Sequence, residues 1–126
     1  GATAADFTLD LWFNTEEGFD VLCFGASKNG EEFGALCGTG NSEGWLTDAV
    51  VDFSDVPKMG TFLGQPNVWI ALIFISDPIN TLPEGAYVDN LLLRKCVSPS
   101  CLATTTHPAR PGTEGIFLRP RQITKP

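Results

Sequence analysis

Phe7-Thr8-Leu9-Asp10-Leu11-Trp12-Phe13 decides the fold class. Phe7, Leu9, Leu11 and Phe13 fall on one side of an extended chain, and Thr8, Asp10 and Trp12 on the other. A period of two is the signature of a strand with one face in a core and one toward water. Outward from it, Phe19–Ala26 reads as a second strand, followed by Lys28-Asn29-Gly30. Asn-Gly favours a hairpin, because its residues accept the positive φ that tight turns require. Phe33–Cys37 is the expected return strand, and Trp45–Phe53 alternates again. Val68–Ser76 has no polar face and is expected at the centre of a sheet, covered on both sides. Ala86–Leu93 is the last clear strand. Helical periodicity is nearly absent. Strands separated by glycine- and proline-bearing turns predict an all-β chain, an antiparallel β-sandwich of jelly-roll type.

The chain has 126 residues, of which 43% are apolar, enough for one packed domain. Its net charge of -7 divides into -12 over residues 1–93 and +5 over residues 94–126. We therefore expect a sandwich domain over 1–95 and a Pro/Thr-rich basic tail over 96–126, with residues 116–118 able to dock as a strand on a sheet edge. An acidic body has no electrostatic footprint for nucleic acid. No apolar run approaches the length of a membrane helix, so membrane insertion is not expected. No targeting motif is read, and Gly1 reads as the start of an excised domain or a processed chain.

Four cysteines allow three pairings. The expected ones are Cys23–Cys37 and Cys96–Cys101. A two-residue Asn29-Gly30 turn would set Cys23 opposite Leu36, and one bulge would set it opposite Cys37. Paired cysteines place the chain outside the cell or at its surface. A zinc site is the weaker reading, since the only histidine is His107 and there is no C-x-x-C.

Several segments, in order, resemble MAM-like jelly rolls, including choice-of-anchor J domains and the accessory domains of immune inhibitor A-type secreted metallopeptidases. They are Trp12-Phe13-Asn14-Thr15-Glu16-Glu17-Gly18-Phe19-Asp20, Val21–Phe33, Gly44-Trp45 with Val51-Asp52-Phe53-Ser54, Val68–Asp77, and Gly85-Ala86-Tyr87-Val88-Asp89-Asn90-Leu91. The resemblance spans roughly residues 7–94 and implies a jelly roll with an accessory, non-catalytic role. The family usually carries further strands before the one matched by Trp12, and neither the cysteines nor the basic tail belongs to its pattern.

Two groups of residues could carry a function. Glu17, Asp20, Asp77 and Asp89 are hard oxygen donors at strand ends and turns, the ligands calcium takes. Asp89 is read on one face with Tyr87, Leu91 and Leu93, where a carboxylate needs a partner. A structural calcium is the expected cofactor; turn caps and solvated side chains are the plainer reading. Trp12 and Trp45 are candidate ligand-binding aromatics, whereas Trp69 is expected in the core. Enzyme motifs are missing: there is no G-x-S-x-G, H-E-x-x-H or P-loop. The chain is thus expected to be a non-catalytic accessory module for binding or structural support. Its partner would be a protein, a polysaccharide or a neighbouring domain of a larger extracellular protein. A carbohydrate-binding module is the alternative, and a small hydrolase using Glu17 and Asp89 the second.

Overall fold

The computed structural model describes residues 1–80 and 82–98, and the backbone of 115–118. It is all-β. β1 (Ala4–Asn14), β2 (Val21–Ser27), β3 (Phe33–Gly38), β4 (Leu46–Asp52), β5 (Trp69–Ile75), β6 (Gly85–Cys96) and β7 (Gly115–Leu118) follow one another. They form two antiparallel sheets, ordered β4-β1-β6 and β5-β2-β3-β7. The two sheets face each other as a sandwich. The row Phe7, Leu9, Leu11 and Phe13 is buried against Leu22, Phe24 and Ala26 of β2, with Val51 of β4 beside it. The Phe7 and Phe24 rings meet edge-on at 6.4 Å, joining the layers at the centre.

The connection from β4 to β5 closes one flank. Phe53, Val56 and Phe62 turn into the core, and Val56 and Gly60 bridge to each other. This turn lies directly on β3. A Cβ at Gly34 would sit 2.3 Å from the Pro57 carbonyl oxygen and 2.9 Å from a Val56 methyl. Gly34 is therefore required by close approach of backbone, not by its φ. Gly34→Ala is expected to destabilise by about 2 kcal/mol, since the clash is with main chain that cannot swing away; a chemical-denaturation curve reads this directly.

The β2–β3 hairpin realises the Cys23–Cys37 disulfide. Cys23 faces Cys37 in an unbroken ladder that runs from Leu22↔Gly38 to Ala26↔Gly34. The offset from a two-residue turn is absorbed by a longer loop rather than by a bulge. In it the Asn29 side-chain oxygen accepts from the backbone N–H of Glu31 and Glu32. Ser27 Oγ accepts from Asn29 and Gly30. Cys96 is also disulfide-bonded; Cys101, its expected partner, lies outside the described residues, as does His107. No helix among the described residues is long and apolar enough to cross a membrane. The disulfide is compatible with an extracellular setting.

Three sequence expectations differ from the structure. Val68–Ser76 is expected at a sheet centre, but among the described residues β5 is the terminal strand of its sheet. Trp69, expected in the core, is 43% exposed and lies over Gly30. Asp89 does not share a face with Leu91 and Leu93. The β1–β6 register passes from Asp10↔Asp89 to Thr8↔Leu92, so Asn90 and Leu91 together oppose Leu9. Asn90 takes a φ of 50° to make this bulge. A bulge inserts one residue and swaps the faces beyond it. Tyr87 and Asp89 therefore point outward with Leu92 and Arg94, while Leu91 and Leu93 point inward.

Candidate functional site

The candidate site is the outer face of the β4-β1-β6 sheet. Two aromatic residues, Trp12 and Tyr87, lie against each other on it. Trp12 of β1 pairs with Tyr87 of β6, and their ring centroids are 5.5 Å apart at 59°. On the other side of β1, Leu11 pairs with Leu46, which packs on the core. Trp45, the residue before Leu46, stands at the entry to β4. Tyr87 and Trp45 are 54% and 51% exposed, and Trp12 is half-buried. The chain around Trp45 is fixed by Ser42, whose Oγ accepts from the Phe13 N–H and donates to the Gly44 carbonyl.

Polar side chains lie on the same face as Trp12 and Tyr87. Asp10 Oδ2 accepts from Asn90 Nδ2 at 2.7 Å, and Asp10 Oδ1 accepts from the Asp48 N–H at 2.9 Å. The Asn90 contact first, and then the Asp48 amide, hold the Asp10 carboxyl below its ordinary value. Asp10 thus remains an ionised, acceptor-only group into mildly acidic solution. Asp89 stands opposite Asp10, exposed, with Oδ1 accepting from the Asn90 N–H. At the far end of the strip Asn14 Nδ2 donates weakly to Glu84. Nearer the β1 start, Arg94 grips Asp6 through two parallel bonds of 2.8 and 2.7 Å. This pair braces β6 on β1 and raises the Arg94 guanidinium further above neutrality.

The carboxylates expected around calcium divide between two places. Asp20 and Asp77 come together at one end of the sandwich. Asp20 is only 2% exposed; its Oδ1 accepts from the Asp77 N–H at 3.3 Å and its Oδ2 from the Glu16 N–H at 3.4 Å. Its carbonyl accepts from Thr39 Oγ1 at 2.7 Å, which in turn accepts from the Gly18 N–H. Asp77 Oδ1 accepts from the Ile79 N–H. Glu16, in the same turn, belongs to this end: its Oε1 lies 3.5 Å from Asn80 Nδ2, and its buried Oε2 has no hydrogen-bond partner. Glu17 is exposed with its stem beside Gly40. Asp89 is on the outer face of the other sheet. Among the described residues, no three His, Cys, Asp or Glu side chains converge as metal ligands. Both Asp20 oxygens and one of Asp77 accept backbone N–H groups. The arrangement ties the β1–β2 turn to the end of β5 with amides.

Sequence reasoning named Trp12 and Trp45 but not Tyr87, Asp10 and Asn90. The alternation in β1 put Trp12 outward. Tyr87 could be added only once the register of β6 on β1 was known. Comparison of the chain with protein-family models, with curated proteins and with solved structures returns no match.

Proposed function

We propose that this chain is a non-catalytic binding module of a secreted or cell-surface protein, and that its ligand is a carbohydrate. The Trp12–Tyr87 pair on the outer sheet face, with the exposed Trp45 at the entry to β4, carries this reading. Sugar rings have apolar faces rimmed by hydroxyls. An aromatic platform takes the face, and neighbouring acceptors and donors take the rim. Asp10, Asp89 and Asn90 provide acceptors and an amide beside the rings. The carbohydrate reading is favoured over a purely structural role because large aromatics spread on one outer face add nothing to the core. The resemblance to MAM-like jelly-roll accessory domains supports the same class of role. The disulfide supports an oxidising setting. Calcium is not part of this reading.

The test is a binding scan against soluble oligosaccharides and insoluble polysaccharides, followed by calorimetry on the best ligand. Trp45→Ala and Tyr87→Ala are each expected to weaken binding by roughly tenfold, the loss of about 1.5 kcal/mol of ring contact. Both rings are exposed, so the thermal transition should hardly move. Affinity should be the same at pH 7 and pH 5, because Asp10 stays ionised; it falls only as pH drops through the lowered Asp10 value. Full affinity in the aromatic variants, or no carbohydrate bound at all, removes the reading.

A further inference from the structure

On the outer face of the β4-β1-β6 sheet the aromatic pair has a second pair beside it. Trp12 faces Tyr87, and two residues back along β1 Asp10 faces Asp89, with no break in the register between them. Leu11 and Val88, which separate the two pairs, turn to the core, so all four side chains share the outward face. The rings and the carboxylates make adjoining rows, roughly 7 Å apart along the strands.

Carboxylates directly opposed on neighbouring strands repel each other. Asn90 relieves part of this by donating Nδ2 to Asp10, but an amide carries no charge. Arg94 lies beyond the bulge and is gripped by Asp6. Among the described residues neither Asp10 nor Asp89 forms an ion pair. Two opposed carboxylates beside two aromatic rings have the make-up of a site for an organic cation. Ring faces attract ammonium groups, and carboxylates pair with them through charge-assisted hydrogen bonds.

We infer that the carbohydrate bound here is an amino sugar with free, protonated amines, its ring on Trp12 and Tyr87 and its ammonium group at Asp10 and Asp89. This rests on the carbohydrate reading above and adds the charge of the ligand. An N-acetylated sugar offers the carboxylates no charge, and a uronic acid is repelled by them. The pH independence expected above belongs to the protein's side of the contact and so to a neutral sugar. An amino sugar gains affinity as its own amine takes up a proton, while Asp10 keeps its charge into mildly acidic solution.

Calorimetry on the full 126-residue chain in mildly acidic buffer compares β-linked oligomers of glucosamine, of N-acetylglucosamine and of a uronic acid, all of one length. The free amine is expected to bind about tenfold more tightly than the N-acetyl form, and the uronic acid most weakly. Asp89→Asn keeps the oxygen that accepts from the Asn90 N–H and should fold unchanged. With one of the two charges gone, the preference for the amine should fall to about threefold. Glu31→Gln removes the same charge from the exposed loop between β2 and β3 and should leave the preference whole. Equal or tighter binding of the N-acetyl or uronic oligomer, weakened by Tyr87→Ala, overturns the inference and leaves the carbohydrate reading standing. A preference that Asp89→Asn does not change, or that Glu31→Gln cuts as much, reflects the acidity of the whole body and overturns it too. If no oligomer binds, both readings fall, and Tyr87-dependent capture of a lysine peptide would then assign the site to a protein partner.

Discussion

Replacing both Cys23 and Cys37 by Ser is expected to destabilise the chain by about 3 kcal/mol, the loop-closure entropy of a crosslink spanning roughly 15 residues. The sequence separation is 14 residues, and the bond joins directly opposed positions of an unbroken ladder. Cys23 is fully buried, so the serine hydroxyl adds a desolvation cost on the same side of the balance. A domain of this size has about 5–15 kcal/mol in total, so the loss is a large fraction of it. Urea unfolding of the oxidised chain and the double variant measures the difference. A change below about 1 kcal/mol would mean that the hairpin is held by its neighbours β5 and the core, with the bond adding little.

Asp20→Ala is expected to cost a similar amount, about 3 kcal/mol, for a different reason. The substitution removes the acceptor for two backbone amides, Glu16 and Asp77, in a site that is 2% exposed. Each buried donor left without a partner costs roughly 1–3 kcal/mol. The effect should appear in the thermal transition with or without a chelator, because the two amide contacts tie this end together. A transition that falls on addition of EDTA in the wild type, and no longer falls in Asp20→Ala, would restore calcium as the tie. Asp20→Asn keeps one acceptor oxygen and should recover part of the loss.

Much of the strand content is legible locally. Phe7, Leu9, Leu11 and Phe13 alternate with polar neighbours, and any extended chain with that period puts them on one side. Asn29-Gly30 marks the hairpin because few other residues accept positive φ there. The Cys23–Cys37 pair follows from the hairpin once its loop length is known. The aromatic site was half legible. Trp12 points outward by alternation, but Tyr87 joins it through a register set between residues far apart in sequence.

The β6 bulge shows where local reading stops. Tyr87, Asp89, Leu91 and Leu93 alternate in sequence, yet Asn90 turns the last two inward. Whether a strand carries an extra residue depends on what it must match across the ladder. The same holds for β5. Its apolar run on both faces tells only that neither face needs water. Which strand lies at an edge is decided by pairing among all strands of the sheet, a non-local choice that the local period does not encode. By itself, the sequence determined the class, all-β with one buried row per strand and a disulfide hairpin. The tertiary structure decided that the most apolar strand ends its sheet among the described residues and that the acidic residues split between an amide-tied turn and an outer sheet face. It did so because edges, bulges and registers are properties of strand pairs, and a pair exists only once the chain has folded.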